Sequence, residues 1–127
     1  MDNETIIGMT KEETRVVEPR DTAETMGSGD LPVYATPALV AFMEHTAKEL
    51  VKPFLSPQET TVGTRMDMRH LKATKVGQMV RTQATITGAE GRKLQFRIEA
   101  FQGDTLIGEA VHERYRVDIQ KFMEKII

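Results

Sequence analysis

One long helical pattern, followed by a succession of strand patterns, is the feature that most constrains how this chain folds. The helical pattern runs from Thr36 to Lys52, with Pro37 at its start and Pro53 directly after it. A proline in the first turn loses no hydrogen bond, because that amide is unpaired anyway, whereas a proline after the last turn stops the helix. Thr36 is placed to cap it. We predict an amphipathic helix over residues 36–52.

The predicted helix has one apolar face. At about 100° per residue, its apolar side chains fall within an arc of roughly 120°. They are Leu39, Val40, Met43, Ala47, Leu50 and Val51. Glu44 lies at the edge of this arc, and His45 lies on the opposite, polar side.

The chain after Ser56 predicts an antiparallel sheet. Apolar and polar residues alternate in segments 59–71, 80–87, 94–101 and 106–117, and Gly-rich turns separate them, including a hairpin loop at 88–91. In the first segment Val62, Thr64, Met66, Met68 and His70 are predicted to share the covered face. An earlier strand over 14–17 and a terminal helix capped by Asp118 complete the pattern. Such alternation means that one sheet face is covered. The prediction is an α+β hotdog fold, an antiparallel sheet wrapped around one long helix.

Composition limits the possible functions. The chain has 127 residues, which predicts one domain over 1–127, with 1–11 as a loose arm. Its net charge of -2 argues against nucleic acid as the main partner, and no apolar run is long enough for a membrane span. The absence of cysteine excludes a thiolate nucleophile and a cysteine-ligated metal. Three histidines without ligand spacing predict no metal site. No signal-peptide pattern occurs, which predicts a cytoplasmic location.

Three residues carry the groups that acyl transfer needs: the Thr36 hydroxyl, the Glu44 carboxylate and the His70 imidazole. Each also has a purely structural interpretation. Thr36 can be a helix cap, Glu44 a residue at the edge of the apolar helix face, and His70 a core histidine. Eight helical residues span about 12 Å, so Thr36 and Glu44 do not touch on a straight helix. Either Thr36 precedes the helix and its chain folds back, or the site combines residues of two protomers. We favour the second arrangement, in a homodimer or a pair of dimers. A dimer would also protect the sheet edge.

Several residues are candidates for binding a thioester substrate. The amides of the first helical turn and of Gly63 are suitable donors for an oxyanion. Arg69 and Lys72 belong to a cationic cluster with Arg65, Lys75 and Arg81, and Arg114 is a similar candidate. Such cations bind phosphates, although a cluster of this kind is also what a solvated protein face shows.

Five segments of this chain together resemble a known family. They are Leu31–Pro37, Glu44, Val62–Thr64, His70–Thr74 and Ile107–Arg114. The chain resembles the hotdog-fold thioesterases related to fluoroacetyl-CoA thioesterase. The resemblance implies that Thr36, Glu44 and His70 form the catalytic group and that Gly63 lines the thioester site. It also implies a coenzyme A thioester as substrate and no cofactor.

One segment departs from that family. Residues 27–30, Gly-Ser-Gly-Asp, offer no aromatic side chain for an apolar lid over a fluoromethyl group. The prediction is therefore an acyl-CoA thioesterase for small or medium acyl groups rather than a fluoroacetate-specific enzyme. The alternatives are a binding module for acyl-CoA or acyl carriers that hydrolyses nothing, and a hydratase of the same fold. The Asp–His motif that a hydratase needs is not found.

Overall fold

A five-stranded antiparallel sheet and one long helix dominate the structure, a computed structural model that describes residues 3–126. The strands lie in the order β1-β3-β4-β5-β2. Their bounds are β1 Thr10–Val16, β2 Glu59–His70, β3 Met79–Glu90, β4 Lys93–Gln102 and β5 Thr105–Asp118. The helices are α1 Asn3–Ile6, α2 Ala23–Met26, α3 Thr36–Val51 and α4 Ile119–Glu124, with 3-10 turns at Pro19–Asp21 and Lys52–Phe54.

Helix α3 forms the centre of the core, and the sheet wraps around it as the hotdog prediction requires. Its buried residues are Leu39, Phe42, Met43, Thr46, Ala47, Leu50 and Val51. They pack with the inward residues of β3 and β4, among them Ile86, Phe96 and Ile98. Burying each large apolar side chain contributes about 1.5–3 kcal/mol. The buried face is wider than the predicted arc, because the curved sheet also covers Phe42 and Thr46.

Strand β2 differs from the predicted alternation in its first half. Gly63 pairs with Arg114 and Arg65 pairs with Glu113, so Thr64 is an extra residue in a β-bulge. Before the bulge the odd-numbered residues face α3, and after it the even-numbered ones do. The prediction that Val62 and Thr64 share a face with Met66 is therefore wrong, and Gly63 faces inward instead.

Two further predictions need correction. Part of the predicted loose arm at 1–11 is ordered, since α1 and β1 occupy most of its described residues and Ile6 is only 2% exposed. The predicted hairpin loop at 88–91 is shorter than expected, because β3 continues to Glu90, which pairs with Lys93. The turn residue Gly91 has a φ of 59°, which glycine adopts without strain.

The predicted terminal helix is present as α4. Asp118 caps it, since its carboxylate accepts a hydrogen bond of 3.0 Å from the Lys121 amide. Among residues 3–126, no helix combines the length and the apolar character that crossing a bilayer would require.

Candidate active site

The first residue of α3, Thr36, does not cap the helix as predicted. Ala35 occupies the capping position without a side-chain hydrogen bond, and Thr36 lies in the first turn. Its hydroxyl instead shares a hydrogen bond of 2.8 Å with Nδ1 of His70, the last residue of β2. The fold therefore brings together two of the three predicted catalytic residues, which are 34 positions apart.

The second member of the pair, His70, has a sheltered imidazole. The ring of Tyr34 meets it edge-on, with centroids 6.5 Å apart and planes at 82°. Its Nε2 is buried and makes no hydrogen bond of acceptable geometry within the described chain. Burial lowers the pKa of His70 below its usual 6.5, and the backbone of Lys72 offsets part of that effect. The imidazole is therefore neutral at pH 7 and is able to accept a proton.

A cavity of about 270 Å³ opens beside this pair. Thr36 and His70 line it together with Tyr34, Lys72 and Ser28. Because Lys72 lies at this cavity, the structure places one predicted substrate-binding residue beside the Thr36–His70 pair. The cavity also borders the segment from Gly27 to Tyr34, which reaches it through Ser28 and Val33.

The third predicted catalytic residue, Glu44, lies in a separate cluster. Its Oε2 is 3.7 Å from Nη1 of Arg114, and it lies beside Gly63 on the bulged strand. Eight residues of α3 separate it from Thr36, which corresponds to about 12 Å along the axis. The described chain therefore contains two groups of candidate residues, the Thr36–His70 pair and a cluster around Glu44.

Arg114 is held by a buried polar network and is only 6% exposed. Its Nε donates to Thr61 Oγ1 at 2.8 Å and its Nη2 donates to the Thr61 carbonyl at 3.0 Å. His112 Nδ1 lies 2.7 Å from the Arg65 carbonyl, so this nitrogen carries the proton and donates it there. Nε2 of His112 is then free to accept from Arg114 Nη1 at 3.2 Å. Burial lowers the pKa of His112, which keeps the ring in this neutral form.

The predicted cationic cluster is dispersed in the structure. Arg65 pairs with Glu113 at 3.5 Å and Arg81 pairs with Glu12 at 3.1 Å. Arg69 is exposed and lines a different groove, beside Glu109. Arg114 differs most from its prediction as a phosphate ligand, because it is buried and its nitrogens already contact Thr61 and His112. No group of His, Asp or Glu within the described residues is arranged to hold a metal ion.

Sequence reasoning underestimated three residues of the site. Tyr34 was overlooked although it lies two positions before Thr36. His112 is absent from the predicted site, although alternation along β5 puts it on the same inward face as Arg114. Thr61 was missed because its inward orientation depends on the bulge at Thr64.

Gly63 leaves room for the Glu44 carboxylate. A Cβ added at this position would lie 2.7 Å from Glu44 Oε2 and 3.3 Å from Arg114 Nη1. Gly63→Ala should therefore displace Glu44 and lower kcat for thioester hydrolysis at least tenfold, with little change in melting temperature. Gly88→Ala on β3 is the control for the extra methyl group, because the added Cβ would meet only the flexible side chain of Gln95 and not the Glu44 cluster. An unchanged kcat in Gly63→Ala would show that the position of Glu44 does not matter.

Comparison with known proteins identifies the family. The family model described as fluoroacetyl-CoA-specific thioesterase matches residues 17–120. The fluoroacetyl-CoA thioesterase of Streptantibioticus cattleyicolor is 35% identical over 94 residues, which cover 74% of this chain and 68% of that protein. The chain belongs to this thioesterase family. It is therefore a thioester hydrolase, and the resemblance seen in the sequence is confirmed.

Solved structures of this family agree with the fold. A fluoroacetyl-CoA thioesterase superposes with a TM-score of 0.88 at 31% identity, covering 94% of this chain and 93% of the other. Variants of that enzyme were solved with acetyl-CoA and with fluoroacetate and CoA. A hot-dog-like protein from Thermanaerovibrio acidaminovorans has a TM-score of 0.89 at 20% identity, covering 98% of this chain and 94% of its own. The hotdog prediction is therefore confirmed.

Proposed function

We propose that this protein hydrolyses acyl-CoA thioesters of small or medium acyl groups at the cavity beside Thr36 and His70. The observation that carries the proposal is the hydrogen bond of 2.8 Å between the Thr36 hydroxyl and His70 Nδ1. A hydroxyl next to a neutral imidazole is the arrangement that activates an oxygen nucleophile. The similarity to enzymes that act on fluoroacetyl-CoA supports coenzyme A as the thiol carrier.

In the proposed reaction, His70 acts as the base. Its neutral Nδ1 accepts a proton from the Thr36 hydroxyl, or from a water molecule that Thr36 orients, and the oxygen attacks the thioester carbonyl. The C–S bond then breaks, and the proton passes to the departing coenzyme A thiolate. If Thr36 is the nucleophile, a water molecule hydrolyses the acyl-threonine in a second step.

The start of α3 is suited to stabilise the oxyanion of the intermediate. The first amides of a helix have no partner within it, and the helix dipole favours negative charge there. Pro37 has no N–H group, so the amides of Thr36 and Ala38 are the donors of this turn. Of these two residues, Thr36 lines the cavity beside His70, so its amide is the donor nearest to a carbonyl carbon attacked there.

We further propose that the working site lies between two protomers of a homodimer. Strand β2 is at an edge of the sheet, so one side of a strand of 12 residues has no neighbour among residues 3–126. Glu44 lies against this strand, beside Gly63. Pairing of two β2 edges would bring Glu44 of one protomer toward His70 of its partner, which the distance within one protomer does not allow.

The remaining candidates take distinct roles in this proposal. Lys72 lines the cavity and Arg69 lies on the exposed edge strand, so both are available to the phosphates of coenzyme A. Gly63 lines the thioester site and leaves space for Glu44. Arg114 acts through Glu44, since its buried guanidinium holds that carboxylate in place. No metal or prosthetic group takes part in the proposed reaction.

The pH dependence of the reaction tests the role of His70. Because burial lowers the pKa of His70, its neutral and active form persists below pH 6.5 and is lost as the pH falls through the lowered pKa. We expect kcat/KM to be flat around neutrality and to fall with a midpoint below 6.5. His45→Ala should leave this profile unchanged, because His45 lies outside the cavity and bonds to Glu13. A midpoint above pH 7 would contradict a buried histidine base.

Thiol release from a panel of acyl-CoA substrates tests the proposed function itself. The panel runs from acetyl-CoA to decanoyl-CoA and includes fluoroacetyl-CoA. We expect turnover of the shorter substrates and no marked preference for the fluorinated one, because Gly27 and its neighbours provide no aromatic lid. Binding of coenzyme A without thiol release from any substrate would instead support a binding module.

A further inference from the structure

Tyr34 lies between two cavities. One is the cavity beside Thr36 and His70, of about 270 Å³. The other has a volume of about 410 Å³ and lies between β1, the turn that follows it, and the first turns of α3. Its lining combines an apolar part, formed by Val16, Val17, Met26, Pro37, Ala38 and Ala41, with the charged residues Arg15, Glu18, Arg20 and Asp21. Tyr34 is the residue that lines both.

The position of Tyr34 is fixed by its surroundings. Its amide donates to the Thr74 carbonyl at 2.8 Å, and its backbone forms an isolated bridge with Thr22. The residue is 5% exposed, and its ring packs edge-on against His70. The ring of Tyr34 is therefore held in place at the wall of the cavity beside His70, and we call this ring the partition.

Tyr34 lines the second cavity together with Asp21 and Arg15, whose charges act on its hydroxyl. Burial raises the pKa of Tyr34 to about 12, so the phenol stays protonated. The backbone contacts of Tyr34 and the packing around its ring therefore hold the ring in place.

We propose that the ring of Tyr34 sets the acyl-chain length by closing the reactive cavity toward the apolar part of the larger one. This inference rests on the proposed function and narrows it to short acyl groups. A two- to four-carbon acyl chain fits beside the ring, and a longer chain meets the partition. Without the ring, the two cavities would join, and the additional methylene groups would reach Val17, Met26 and Ala41.

Substitution of Tyr34 tests the partition. Tyr34→Leu and Tyr34→Ala remove the ring, and Tyr34→Phe is the matched control that removes only the hydroxyl. We expect wild type and Tyr34→Phe to share the same preference for short chains in kcat/KM. In Tyr34→Leu and Tyr34→Ala the highest kcat/KM should move to longer acyl chains. The value should rise about fourfold for each methylene group that enters the larger cavity. Melting temperatures establish which variants are folded.

A binding measurement on the wild-type protein makes the test independent of variant folding. Non-hydrolysable alkyl-CoA thioethers of increasing length should inhibit more strongly up to about butyl and no further. Steady strengthening through decyl would overturn the inference, as would a folded Tyr34→Leu with an unchanged chain-length profile. A shift in Tyr34→Phe would overturn it as well, since the hydroxyl would then control the length. Absence of turnover with every substrate would refute the proposed function rather than the partition.

Discussion

His70→Ala is expected to lower kcat for acyl-CoA hydrolysis by roughly 10²–10⁴-fold, the usual contribution of a general base. The substitution removes the group that shares a hydrogen bond of 2.8 Å with the Thr36 hydroxyl. It should have a smaller effect on KM, because the imidazole contacts the reacting centre rather than the coenzyme. The measurement is the steady-state rate of thiol release with the best substrate of the acyl-CoA panel.

His45→Ala is the matched control for this substitution. His45 lies on α3, and its nitrogens are 3.0 Å from Glu13 and 3.7 Å from Glu49, away from the cavity. Its loss should leave kcat within about twofold of wild type, as expected for a surface substitution. A His70→Ala protein that is folded and retains the wild-type kcat would remove His70 from the mechanism, while the protein would remain a thioesterase.

The largest loss of stability is expected for Arg114→Leu. The substitution leaves the Thr61 carbonyl, the Thr61 hydroxyl and His112 Nε2 without their buried partner. Each buried polar group that loses its partner costs about 1–3 kcal/mol, and the apolar packing of leucine offsets part of the sum. We expect the free energy of unfolding to fall by about 2–4 kcal/mol, measured by urea denaturation.

Arg116→Leu provides the comparison on the same strand. Arg116 pairs with Glu59 at 3.1 Å, and both side chains remain partly exposed. An ion pair that is partly solvated contributes about 0–1 kcal/mol, so this variant should lose much less stability. Equal losses for the two variants would contradict the buried network around Arg114.

The main elements of the fold could be predicted because each has a local signal. Pro37 and Pro53 mark the ends of α3, and period-two alternation marks β3, β4 and β5. The phase of β2 could not be predicted in the same way. A single extra residue at Thr64 reverses which side chains face the core, and the one local signal is Gly63, since a glycine inside a strand often marks either a bulge or a close backbone approach.

The catalytic candidates could be predicted by residue type and by resemblance, but their contacts could not. The sequence pattern predicts Thr36 as a helix cap, yet Ala35 takes that position and the Thr36 hydroxyl bonds to His70, far along the chain. Only the folded chain decides between these two roles. The separation of Thr36 from Glu44 could be predicted, because helix geometry fixes it. The buried partners of Glu44 could not, since the sequence predicts Arg114 as a phosphate ligand and not as a buried side chain.

The central claim is that His70 of one protomer works with Glu44 of its partner, and a heterodimer tests it most directly. His70→Ala and Glu44→Gln are co-expressed with different tags, and the mixed dimer is purified and assayed for thiol release. If the site is shared, one of the two sites in the mixed dimer is complete, and the rate should return to about half of wild type. If both residues serve the site of their own protomer, each site lacks one group. A rate no higher than those of the two parent variants would contradict the shared site.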